Sequence, residues 1–198
     1  FRQIQFALID HLSVDKVPYQ GNTRHFSRKY NAMIVDFPTT IPKRKLDSVP
    51  VVYSGHPIQA TRAPWDGGFD WKTDSNGKPW VATACQGLGA SVWWPNKDHQ
   101  SDEVDSILIS ISVPKGLQEI SNGRLPSQTV RADGYTQFNW FVSNPINNYN
   151  ITLYIGKYAH WTDTFKGEKG NLSLDFWSLK EDSTQARPHW DADVKPML

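Results

Sequence analysis

The feature that most constrains this chain is an alternation of apolar and polar residues at a period of two, interrupted at short intervals by turn residues. It is clearest in "IQFALI" (4–9), "NAMIVDF" (31–37), "VPVVYSG" (49–55), "SILISISVP" (106–114), "YTQFNWFV" (135–142) and "YNITLYIGKYAHW" (149–161). A period of two puts alternate side chains on opposite faces of a strand, and Val, Ile, Phe, Tyr and Trp suit a pleated, half-buried surface. Gly-, Pro-, Asn- and Asp-bearing breaks such as "YQGN", "DSNGKPW", "VPKG", "SNGR", "ADGY" and "KGEKG" lie between the runs and close turns. No helical stretch intervenes, so the pattern predicts an all-β, antiparallel fold, a β-sandwich or curved double sheet. Hairpins are expected at Asn76-Gly77 and Asn122-Gly123, because Asn-Gly supplies the positive φ angles of tight turns. Only the tail changes period. "STQARPHWDADVKPML" carries Val194, Met197 and Leu198 at helical spacing and predicts the start of a short C-terminal helix.

The charge balance narrows the partners. Twenty-one basic and 20 acidic residues leave a net charge of +1, which gives no field for a polyanion. No basic stripe is visible, so no nucleic-acid partner is expected. No run reaches the roughly 18 apolar residues a bilayer crossing needs, so no membrane span is expected. The chain starts at Phe1 without an initiator methionine or a charged-then-apolar leader, and stops at "DVKPML". Both ends read as cut, and a longer parent protein is expected.

Candidate chemistry is sparse. His11, His25, His56, His99, His160 and His189 are scattered, with no His-x-x-x-His pair to start a metal site. Asp98, Asp102, Glu103 and Asp105 lack the glycine-bearing spacing of a calcium loop and read as a solvated loop. Cys85, the only cysteine, follows "VATA" and reads as a small buried hydrophobe. "GLGAS" is neither a nucleophile elbow nor a phosphate-binding loop. The chain therefore shows no catalytic residues and no metal ligands of its own. Nine tryptophans remain. They either fill the gap between two sheets or stack on sugar rings, and the second option would make a stand-alone, tryptophan-rich carbohydrate-binding module.

One long segment points further. "PWDGGF" (64–69), "CQGLGASVWWPNKD" (85–98) and "SNG" (121–123) stand in this order, with "RKYNAMIVDFP" before them and "PINNYNITLYIGKY" after. The series resembles the N-terminal domain of zinc aminopeptidases of the aminopeptidase N and leukotriene hydrolase family, bacterial branch. The resemblance runs from about Arg28 to Met197 and implies a saddle-shaped antiparallel β domain at 1–185. Residues 186–198 would then begin a linker to a missing catalytic domain, which holds the zinc and is this domain's packing partner. It implies that Gln86, after Cys85, helps hold the amino end of a peptide substrate. Gly87 and Gly89 are implied as cleft-lining positions, and Trp93 and Trp94 as packing at the domain junction. By analogy with bacterial relatives it implies a periplasmic or secreted parent. The sequence departs from the pattern at Asn96, where the family usually has cysteine. It also lacks His-Glu-x-x-His and Gly-x-Met-Glu-Asn, so the chain alone is expected to be inactive.

Overall fold

The computed structural model describes residues 1–198, the side chain of Lys195 excepted. The first part of the chain forms strands β1 (Gln3–Ala7), β2 (Leu12–Lys16), β3 (Pro18–Tyr19), β4 (Asn22–Thr23), β5 (Phe26–Lys29), β6 (Ala32–Asp36) and β7 (Val52–Gly55). The middle forms β8 (Gly68–Thr73), β9 (Pro79–Ala84), β10 (Ile107–Pro114), β11 (Gln118–Ser121), β12 (Arg124–Val130) and β13 (Tyr135–Val142). Strands β14 (Leu153–Gly156), β15 (Tyr158–Gly167) and β16 (Gly170–Leu179) follow, and helix α1 (Ser183–Met197) comes last. All strand pairs are antiparallel, so the all-β reading of the alternation holds.

Two sheets make the centre. One has the order β10-β13-β12, the other β11-β14-β9-β8. In β13 the alternation places Thr136, Phe138 and Trp140 inward, and in β10 it buries Ile109 and Val113. The second sheet contributes Phe69, Val81 and Leu153, and Ile111 and Ile155 pack where the sheets meet. A third sheet, β1-β6-β5, closes a separate apolar cluster of Val17, Tyr19, Met33, Val35, Phe37 and Ile41. The long ribbon β15-β16 leaves the centre, and α1 lays Trp190 against Trp161 and Phe176 on one of its faces, 5.4 and 5.1 Å between ring centres.

The two expected hairpins part company. Strands β8 and β9 do pair from Gly68–Ala84 to Thr73–Pro79. The Asp74 carboxylate accepts the amides of Asn76 and Lys78 at 2.9 and 2.8 Å, and Gly77 alone takes a positive φ, 71°. At Asn122-Gly123 there is no hairpin. Strand β11 pairs with β14 and β12 with β13, so this turn carries the chain from one sheet to the other. Gly123 (φ 87°) passes so close to Phe141 that a Cβ would lie 2.2 Å from its carbonyl oxygen. The positive φ that Asn-Gly predicts is present, but it serves a corner rather than a hairpin. Lys157 splits the run at 149–161 into β14 and the start of β15. The helix begins at Ser183, inside the stretch assigned by sequence to the β domain.

One polar group lies in the apolar centre. Glu119 is fully buried, and one carboxyl oxygen accepts the Trp140 indole N–H at 2.8 Å while the other has no partner. Burial pushes its pKa from 4.5 up to about 8, against a smaller lowering by Trp140. Because the folded value is raised, the stability tied to the protonated acid is complete below about pH 4.5 and is lost as the pH climbs through about 8. Glu119→Gln keeps an acceptor for Trp140 and never ionises. It is expected to flatten the fall in urea midpoint between about pH 5 and pH 8, with a gain on the order of 2–4 kcal/mol at the upper end, since a tenfold change in proton affinity is worth about 1.4 kcal/mol. An equal slope in both proteins would refute this account.

Candidate functional site

The segment after β9 is built from inside outward. Cys85 ends the strand buried, and burial raises its thiol to about 11, with Trp93 opposing the rise. A thiol held that high is not a nucleophile at neutral pH. The Cys85 carbonyl accepts the Gly89 amide at 2.9 Å, which closes a one-turn loop and pushes Gln86, Gly87 and Leu88 to its outside. A turn of 3₁₀ helix at Ala90–Val92 follows, with all three residues buried.

Gly89 makes that loop possible. It takes φ 83°, and a Cβ there would fall 2.2 Å from an Asp98 carboxylate oxygen, the same Oδ2 that accepts the Ser91 amide at 3.0 Å. Asp98 thus ties the far end of the segment to the turn, while Asp102 pairs with Lys97 at 3.2 Å. Asn96 is buried at 4% exposure and exchanges two backbone hydrogen bonds with Ala7, at 2.7 and 3.2 Å. Its side-chain amide donates to the Trp94 carbonyl at 2.8 Å. The position where the family pattern has a thiol is here a hydrogen-bonded joint to β1.

The residues singled out by sequence fall into two groups. Gln86 and Gly87 are exposed, and the Gln86 amide makes no hydrogen bond among the described residues. Gly87 (φ 90°) faces the Trp65 carbonyl, and Leu88 lies over Gly67, leaving no room for a side chain there. Trp93 and Trp94 sit behind this tip, each partly buried, with rings 6.2 Å apart. Trp93 packs into three of the apolar clusters, and its carbonyl accepts the Tyr53 hydroxyl at 2.9 Å. Beside the tip, Trp65 and Leu88 present apolar surface, 62% and 46% exposed.

Among the described residues, no three His, Cys, Asp or Glu side chains gather as a metal site. Among the described residues, no helix is long and apolar enough to cross a membrane.

No family model and no curated protein matches the sequence. Solved structures do match the fold. An M1 zinc metallopeptidase from Deinococcus radiodurans superimposes with a TM-score of 0.75 at 18% identity, over 88% of this chain and 39% of that one. A mutant of a two-domain M1 zinc metallopeptidase bound to L-arginine gives 0.76 at 17% identity, over 93% of this chain and 43% of that one. The fold is that of part of an M1 zinc metallopeptidase. This is the β fold that the sequence resemblance implied, and the chain spans about two fifths of the structures it matches.

Sequence reading missed a concavity elsewhere in the molecule. A groove of about 920 Å³ lies between the β12-β13 edge and the β15-β16 ribbon. Its walls come from Gln118, Arg124, Phe141, Asn144, Asp175 and Trp177 among others, which no contiguous motif could reveal. The only local signal was the alternation of β16, "GNLSLDFWSL", which puts Ser173, Asp175 and Trp177 on one face.

The tip itself yields a stability test. Gly89→Ala adds a side chain at φ 83° against the Asp98 carboxylate, and is expected to cost about 2–4 kcal/mol in urea unfolding. Gly87→Ala, whose Cβ meets nothing nearer than 3.4 Å, is expected to cost about 1 kcal/mol, from backbone strain alone. Equal losses at both positions would show that Asp98 does not fix the loop.

Proposed function

We propose that this chain is the non-catalytic N-terminal β domain of a zinc-dependent aminopeptidase, whose parent removes N-terminal residues from peptides. In this reading the zinc and its ligands belong to a separate catalytic domain, and the 86–88 tip lines the active-site cleft. The observation that carries it is the tip: a free, exposed Gln86 amide on a loop whose base is fixed by Gly89, Asp98 and Asn96. A glutamine amide both donates and accepts, so it can orient the amino end of a peptide without competing for a metal. Holding it on a pre-formed loop reduces the ordering cost of binding. Support for the family comes from the shared fold together with the quoted motifs.

Gly87 and Gly89 let the backbone turn sharply there, and Gly87 leaves the tip narrow enough for a cleft wall. Trp93 and Trp94, partly buried behind the loop, would stiffen it and pack at the junction with the catalytic domain. Trp65 and Leu88 offer the outer apolar surface on which the catalytic domain would pack, at a junction of the kind expected of domains within one chain. A periplasmic or secreted parent remains part of the proposal.

The test is Gln86→Ala in the full-length enzyme. Loss of one hydrogen bond to substrate, about 1–1.5 kcal/mol, is expected to lower kcat/KM for a peptide substrate by roughly tenfold. The zinc content and thermal midpoint should not change. An unaltered kcat/KM overturns the role of Gln86, and a parent without bound zinc overturns the aminopeptidase reading.

A further inference from the structure

The groove between β12-β13 and the β15-β16 ribbon lies outside everything the tip would do. Its floor is Trp140, whose indole N–H is held by Glu119 beneath it. One wall is the polar face of the ribbon. His160 stacks on Trp177 with ring centres 3.9 Å apart and planes 13° from parallel, and its Nε2 meets Asp175 Oδ1 at 2.8 Å. Trp177 meets Trp140 edge to face at 6.4 Å. Three rings and one carboxyl group, Trp140–Trp177–His160–Asp175, form one continuous floor and wall, with Glu119 buried beneath. The other wall is Arg124, Pro126, Gln128 and Phe141.

The lining narrows the ligand. Arg124, Gln128, Ser143, Asn144 and Ser173 all border the groove, and none makes a side-chain hydrogen bond among the described residues. Gln118 uses only its carbonyl oxygen, toward the Tyr158 amide at 2.9 Å, which leaves its NH₂ free. Amides and hydroxyls that donate and accept, set among aromatic rings, suit a ligand bearing hydroxyl groups on one edge and C–H faces on the other. The charges are one arginine against one aspartate already engaged by His160, so neither a polyanion nor a polycation is selected.

An extended peptide is the competing occupant, since β12 is an edge strand. The edge is built against strand addition. Pro126 supplies no N–H, and the pairing of β12 with β13 slips between Arg124 and Ser127. A regular ladder cannot form along that stretch.

We propose that this groove binds a neutral oligosaccharide. At about 920 Å³ it lies within the range of small-ligand sites. The proposal does not rest on the aminopeptidase reading, and neither its success nor its failure bears on zinc or Gln86.

The experiment is a titration of the 198-residue chain with cellotetraose, maltotetraose, chitotetraose and, separately, tetra-alanine, followed by NMR on the indole N–H signals. The expected result is a saturable shift of the Trp177 and Trp140 signals with at least one tetrasaccharide. Phe141→Ala and Asn144→Ala are each expected to weaken it about tenfold. Both residues are exposed, so the thermal midpoint should hold. If no tetrasaccharide shifts these signals, if the variants bind as well as the parent chain, or if tetra-alanine alone binds, the proposal is overturned.

Discussion

The packing of Trp93 is the contact on which the rest of this molecule leans. Its ring belongs at once to the cluster around Phe138 and Trp140, to that around Ile9, Cys85 and Val92, and to that around Phe69, Val81 and Leu153. A single large aromatic, burying on the order of 150–250 Å² when enclosed, can join sheets that share no strand. Its carbonyl adds a tie to β7 through Tyr53. The small sheets of the first third and the double sheet of the centre are therefore coupled through one short segment, residues 85–98. The same segment carries the Gln86 tip. A rigid base and a free tip are two consequences of one arrangement, in which everything from Gly89 to Asn96 is held and Gln86 to Leu88 is left outside.

Close approach, more than hydrophobicity, fixes the details of that segment. The Asp98 carboxylate occupies the space a Cβ would need at Gly89 and caps the Ser91 amide from there. Gly67 makes room for Leu88 in the same way. Gly123 does so for the Phe141 carbonyl at the corner between the sheets. Each site combines a positive φ with contact against another part of the chain, so no other residue meets both demands at once. Elsewhere the fold tolerates an expensive group. Glu119 sits fully buried with one oxygen unpartnered, and its burial is bearable at neutral pH because the acid stays largely protonated.

Much of this was legible in the residues. "YTQFNWFV" coincides with β13, and its inward set of Thr136, Phe138 and Trp140 follows from the period alone. Cys85 is the small buried hydrophobe its context predicted. The tryptophans divide by burial. Trp140 is core, Trp65 and Trp71 are exposed, and Trp177 is half-buried beside a groove. The second Asn-Gly was misread because a dipeptide encodes its own dihedral angles and not its strands' partners. Whether such a turn closes a hairpin or rounds a corner depends on which sheets receive the flanking strands.

The sequence by itself determined the strand periodicity, the turns and the resemblance that pointed to the M1 fold, because each rests on contiguous residues and local backbone preference. Only the tertiary structure decided that Trp93 would bind three clusters together and that Gln86 would stand free. It alone placed His160 and Trp177, seventeen residues apart in sequence, ring on ring above Trp140. Those outcomes depend on which faces meet across the chain. Such meetings are set by the burial of the whole apolar surface at once, and no local window of sequence contains that information.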